Sequence, residues 1–466
     1  MASPLIGASR TGAFSVCAAG TASGQTAVVD GQIFTPEMFG AKGDGRTNDT
    51  AAFQALGKAV SGAGGGTIRL RAVTYLVGEQ QAMPKALDGY IFSPAQILEI
   101  QGCSNPLRIV GNGARLRCMA ALRYGVFSED GARLDRPMPN LTAGNWGVPY
   151  EQMILVDRCS GGVEITGLEL DGNSGAAIIG GRYGDIGWQL PAIGLLLQDN
   201  AGAEVIRDVH SHHHLLDGIL VRNRSRATAT TRLFDRVRCE YNGRQGLSFT
   251  AGTGYRFVRC IFAHTGRGKV TSAPGAGVDM EAEAGPISNL MFEDCRFVDN
   301  FGAGMVADSG DTVAATFTRC DFIGTTNCAA WPNKPRFVFT RCRFVGQILA
   351  CYSSGDTALA ARFVRCSFTD DPALSPTGKV FAAGPIADLS NGTNVRFDSC
   401  TFTVSHGAAL PWSWKAIYVN CTMRQTGGPQ GYPRGTWIGH STIVGNVDLY
   451  SSTIAGSVTI NGVRHV

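Results

Sequence analysis

The chain is 466 residues long with 44% hydrophobic and 17% charged residues, enough apolar material for a large core and too much for a disordered chain. Its 41 basic and 37 acidic residues leave a net charge of +4, and they are scattered, which excludes the concentrated basic face of a nucleic-acid binder. No apolar run is long enough to span a bilayer, so no membrane insertion is expected.

In chain order, residues 1–33 read as an irregular segment with neither a basic n-region nor a long apolar h-region, so no signal peptide is expected. The segment FTPEMFGAKGDGRTNDTAAF follows at 34–53. Thr47, Asn48 or Asp49 can N-cap a helix whose buried stripe is Phe53, Leu56 and Val60. GGGTIRLRAVTYLV at 64–77 then reads as the first strands. Three stretches, 79–96, 120–152 and 182–192, interrupt the later rhythm and carry Tyr90, Tyr124, Trp146, Tyr150, Tyr183 and Trp188. Long loops on a rigid scaffold wall grooves, and flat aromatic faces suit sugar rings; alternatively these rings cover exposed interior.

Strands led by glycine come next: Gly218-Ile219-Leu220, Gly246-Leu247-Ser248, Gly277-Val278-Asp279 and Gly304-Met305-Val306. Alternation places Ile219, Leu247, Val278 and Met305 inside, and Leu220, Ser248, Asp279 and Val306 outside. A second outward column reads Arg222, Thr250, Glu281 and Asp308. From residue 257 an aromatic, two mostly polar residues, Cys, any residue and an apolar one recur, as in FVRCIF, FEDCRF and FTRCDF. The cysteines, Cys260, Cys295, Cys320, Cys342, Cys366, Cys400 and Cys421, follow at intervals of 35, 25, 22, 24, 34 and 21. A fixed motif at this period is a solenoid, and period-two alternation broken by short bends makes its repeats strands. The cysteines are then expected as one column inside the coils, as small hydrophobes rather than disulfides or zinc ligands. STIVGNV at 441–447 and STIAGSV at 452–458 recur after 11 residues, which suggests a thinner cap or a strand edge shared between chains.

The stretch at 34–53 resembles the N-terminal cap of the pectate-lyase-like superfamily, written GAxGDGxxxDTxAF. Residues 239–262 and 272–305 look like a subgroup carrying a G-[IV]-D-x-E strand followed by an Asn-rich repeat. The resemblance implies an all-β chain: a single-stranded right-handed parallel β-helix with an N-terminal capping helix, over residues 34–435, and a short-repeat cap or oligomerisation segment at 436–466. It implies action on a polysaccharide, often an acidic one, and leaves the reaction open, since hydrolases, lyases, C5-epimerases and phage tailspikes share the fold. The hydrolase pattern of an NTD strand and a later DD pair is echoed only by Leu216-Asp217-Gly218, and the epimerase G-F-D-P-H strand only by Asp279.

The expected function is cleavage of a polysaccharide, hydrolysis ahead of elimination or epimerisation. The rival readings are a phage-surface depolymerase and a non-catalytic glycan-binding solenoid. Either places the protein outside the cell or on a phage particle, and tailspike-like members imply a homotrimer. Two carboxylates crowded on one face resist joint ionisation, so Glu281 or Asp308 is the expected acid and Asp279 the base. Arg244 is the candidate base for a lyase, and His213 a further acid or base. Asp217, Trp188, Tyr183 and Arg222 are the expected substrate contacts. No metal is expected for hydrolysis; a lyase would call for Ca²⁺ on the carboxylates. Metal binding by the run His210-Ser211-His212-His213-His214 is disfavoured because alternate residues face opposite ways. His214 is expected in a turn slot filled by Asn242 and Asn300 in later coils.

Overall fold

Each turn of the chain is made of short strands that pair in parallel with the strands one turn before and after, so almost every strand joins one 33-stranded sheet. The structure is a computed structural model that describes residues 31–466 apart from 88, 138–143, 183, 185–186, 226–229 and 390. The fold is a right-handed parallel β-helix, closed at its start by a helix, α1 (Thr50–Gly62). Phe53, Leu56 and Val60 of α1 are fully buried. Asp49 is the N-cap residue, but its carboxylate instead accepts the backbone N–H groups of Lys42 (2.7 Å) and Gly43 (3.1 Å), which ties down the GAKGDG turn. Asn48 takes the amide of Thr50 at 3.0 Å.

The expected cysteine column is present. Each of the seven thiols is buried and donates to the carbonyl of an aromatic residue one coil earlier: Cys295 to Phe257 (3.5 Å), Cys342 to Phe317 (3.4 Å), Cys421 to Phe397 (3.4 Å). Every described cysteine is free. The residue before each of the seven has φ between 51° and 55°, a left-handed bend that turns the chain from one strand to the next. Flanking the thiols are two ring ladders. Phe292, Phe317 and Phe339 stack at 4.8 and 4.7 Å, and Phe297, Phe322 and Phe344 at 4.5 and 4.9 Å, the spacing that neighbouring strands impose. A buried ion pair also lies within the coils: Glu204, fully buried, pairs with Arg232 at 2.6 Å.

The glycine-led face follows a different rule. A Cβ on Gly218, Gly246, Gly277 or Gly304 would lie 2.4–2.7 Å from the carbonyl oxygen of the next coil's residue at the same position. Glycine is required there by close backbone approach, so the glycine column fixes the register of this face.

Two expectations change. The stretches at 79–96 and 120–152, expected as loops, contribute to a second sheet ordered Ile178–Ile179, Arg123–Val126, Trp146–Gly147, Tyr90–Pro94 and Gln80–Leu87. Tyr124, Trp146, Tyr150 and Trp188 are buried, so these rings cover the interior and offer no open face to a sugar. Near the C-terminus Ser441 pairs with Val458 and not with Ser452, so the 11-residue spacing is not the coil repeat. The strand Val463–His465 folds back antiparallel on Thr453–Ile460. Tyr183 and residues 1–30 lie outside the described residues.

Candidate active site

Asp217, Arg244, Asp279 and Glu281 come together on the glycine-led face. Asp217–Arg222 pairs with Gln245–Thr253, which pairs with Ala276–Glu293. Leu220, Ser248, Asp279 and Val306 occupy one column, as alternation requires. The second column does not hold. A register shift between Asp279 and Glu281 sets Glu281 against Ser309, so Asp308 is displaced by one residue, and another sets Arg222 against Ala251. Bulges of this kind add a residue to one strand, and side-chain polarity does not announce them.

Arg244 is the centre of the group. Its Nη2 donates to Glu281 Oε2 at 3.3 Å, and its Nη1 lies 3.9 Å from Asp217 Oδ2. The Gln245 side-chain amide donates to Asp279 Oδ2. The Oδ1 atoms of Asp217 and Asp279 are buried without a hydrogen-bond partner. Asp217 and Asp279 are 2% and 1% exposed, whereas the Glu281 side chain is 23% exposed. Asp279, expected as a base, therefore lies beneath the surface where bulk water does not meet it. Glu281 is the member of the group that solvent reaches.

The electrostatics follow from burial. Desolvation lifts Asp217 to about 7, against the pull of Arg244. Asp279 stands well above the usual carboxylate range, first through burial and then through the charges of Glu281, Asp308 and Asp217, with Arg244 opposing. Glu281 is raised in the same way, by burial and by Glu283 and Asp308. Burial disfavours the Arg244 charge, but Asp217, Glu281, Asp279 and Glu283 outweigh it and hold the guanidinium above its ordinary range. The site thus sets carboxyl groups that hold their protons to higher pH than usual beside a fixed cation.

The remaining candidates lie apart. Asp308 is exposed on Met305–Thr318, near enough for its charge to act on Asp279 and Glu281. Arg222 is half-buried at the end of its strand. Trp188 is 8% exposed and its carbonyl accepts from Ser272 Oγ. His213 stacks on Tyr241 around the corner from Arg244, with ring centroids 5.1 Å apart. His214 is buried in the turn: its backbone N–H donates to Asn242 Oδ1 (3.0 Å) and its Nδ1 lies 2.8 Å from Tyr150 Oη. Sequence reasoning missed Gln245, although its place before Gly246 matches that of Asp217 before Gly218. Tyr124, read from sequence as a ring for a sugar groove or for covering the interior, is a buried phenol that donates to Leu190 O at 3.0 Å and feels the charges of Asp217 and Arg244.

No family profile matches the sequence. A 64-residue stretch, 13% of this chain, is 52% identical to depolymerase 1, capsule KN3-specific, of Klebsiella phage KN3-1, and spans 8% of that protein. The N-terminal fragment of gene product 12 of bacteriophage phi29 superposes with a TM-score of 0.53 at 12% identity, over 92% of this chain and 72% of that one. The A-module of the Azotobacter vinelandii mannuronan C-5 epimerase AlgE4 does so with a TM-score of 0.42 at 15% identity, over 92% and 96%. The fold is thus that of the right-handed β-helix proteins, with a phage protein among its structural neighbours.

Proposed function

We propose that this chain is a carbohydrate-active enzyme of a phage particle that hydrolyses a capsular or other surface polysaccharide at the Arg244 group. The observation that carries the reading is a partly buried carboxyl that solvent still reaches, Glu281, kept above its usual pKa by burial and by neighbouring acids, on a β-helix face. A carboxylic acid that keeps its proton to higher pH than usual is what protonation of a glycosidic oxygen needs. Glu281 is the proton donor. Asp308, exposed and one coil on, is the carboxylate that activates water. Asp279 and Asp217 hold the Arg244 charge, while burial, Glu283 and Asp308 raise Glu281. The matched stretch of the Klebsiella phage protein, named a capsule depolymerase, supports the choice of substrate class and setting.

Charge favours hydrolysis over elimination. A lyase must neutralise a uronate carboxylate, yet here several acids surround one guanidinium already engaged with Glu281 and Asp217. The same guanidinium stands among the carboxylates where a Ca²⁺ ion would be coordinated, so the residues do not fit that ion well. A tailspike-like assembly through residues from about 436 onward belongs to the same reading, and a monomeric mass in light scattering would remove it.

The deciding experiment incubates the full chain with a panel of capsular polysaccharides, with and without Ca²⁺, and follows reducing ends and absorbance near 235 nm. Reducing ends without absorbance are expected. Both signals together would make it a lyase; neither, on any capsule bound by the protein, would make it a binding solenoid.

A further inference from the structure

Around the corner from Arg244, the strand Glu204–His212 carries a second cluster that the proposed reaction does not use. Ser211 points inward and is fully buried, which sends His210 and His212 outward together, as residues two apart on a strand must be. His213 then adopts φ 54°, and its left-handed turn breaks the alternation, so a third imidazole joins the same side. Opposite ways of facing, the ground for disfavouring a metal here, therefore does not apply. Parallel pairing supplies the acids: Glu169 sits beside His210 and Asp171 beside His212 in the coil before, and Glu240 beside His212 in the coil after.

The donor atoms converge. Glu169, His210 and His212 each offer a ligand atom within 4.8 Å of the others'. His212 Nε2 lies 2.9 Å from Glu169 Oε1, and His210 Nε2 lies 3.0 Å from Glu240 Oε2. The alternative trio of Asp171, His212 and His213 is less available. Asp171 Oδ1 takes the Asn173 amide at 2.8 Å, and Oδ2 faces Arg117 Nε at 3.4 Å.

We propose that Glu169, His210 and His212 bind one divalent transition ion of the zinc class, with Glu240 orienting the His210 ring. Two imidazoles and a carboxylate form a zinc-type ligand set, and a carboxylate behind a ligating histidine is its usual support. The charge balance sharpens the choice of ion. Arg115 and Arg238 lie on Glu169 and Glu240 at 2.8 and 2.6 Å, and Arg117 faces Asp171, so the corner's acids are already matched by guanidinium groups. Attraction must then come from imidazole nitrogen rather than from net negative charge, which selects Zn²⁺, Ni²⁺ or Cu²⁺ over Ca²⁺ and Mg²⁺.

Titration calorimetry on the full chain, first dialysed against a chelator, tests this with ZnCl₂ and CaCl₂. One equivalent of zinc and no calcium is expected, with affinity at least ~100-fold weaker in His212→Ala and reduced in Glu169→Gln, which keeps the side-chain shape if the alanine variant folds poorly. His440→Ala, distant in sequence on the last coils, should bind as the unaltered chain does. Zinc binding that is absent, or equal in the unaltered chain and both cluster variants, overturns the proposal.

Discussion

Arg232 and Arg244 are both largely withdrawn from solvent, and they are held in opposite ways. Arg232, 1% exposed at its side chain, donates to Glu204 Oε2 (2.6 Å), Tyr255 Oη (3.0 Å) and the Asn200 carbonyl (3.1 Å). Its one acid is satisfied on both oxygens, since Asn200 Nδ2 donates to Glu204 Oε1 at 2.9 Å. Arg244 instead faces several acids, two of which bury an oxygen with no partner. Around Arg232 the carboxylate is completed by its neighbours, and what goes without a partner is the guanidinium Nε. Carboxyl groups left incomplete and pushed upward in pKa cost stability, and sites of reaction are where such costs gather.

The largest expected effect separates the two groups by activity. Glu281→Gln should lower turnover by roughly 10²–10⁴-fold on the cleaved polysaccharide while the melting temperature stays close to that of the unaltered chain. Near-normal turnover in that variant would reduce the Arg244 group to a buried oddity. Arg232→Met should do the reverse. It strands Glu204 in the core, so denaturant unfolding should show a loss of about 3 kcal/mol or more, with the reaction rate per folded molecule unchanged. A variant as stable as the parent would show that the two arginines do not differ as described.

A third test uses pH. Asp217 is held at about 7 in the folded chain and near ~3.9 when unfolded, so between these values the folded state binds the extra proton. Its contribution is complete at low pH and is lost as pH rises through about 7. Unfolding free energy should therefore fall from about pH 4 to 7 by up to roughly 4 kcal/mol from this group. Asp217→Asn should flatten that slope. An equally steep slope in the variant would mean that Asp217 is not the group responsible.

Much of this was legible before any coordinates. The cysteine motif recurs because one small interior slot recurs, and the glycine-led strands reveal their inward and outward residues because their register is fixed by backbone contact. What sequence did not disclose is tertiary. Asp279 reads as outward and is outward, yet a reader of alternation cannot see that Gln245, Arg244 and their neighbours bury it. The slip between Asp279 and Glu281 displaced Asp308, and the left-handed turn at His213 gathered histidines that period-two logic had separated. Trp188 and Tyr124 looked like sugar platforms because aromatic residues in long connections usually are exposed; here a second sheet absorbs Tyr124, and Trp188 packs into the core.

The left-handed bend before each cysteine has a consequence for how such a chain changes over generations. The stretch from ring to bend to thiol to ring keeps one length in coil after coil. The corner leading on to the glycine-led face does not: it is 346–347 in one coil and 370–386 in another. Doubling a loop adds only about 0.6 kcal/mol of closure entropy, so insertions are cheap at that corner and ruinous at the bend. The corner at 264–275 lies directly before the strand that carries Asp279 and Glu281. Recombination or slippage there can exchange the rim of the candidate site wholesale while the stacked interior registers no change.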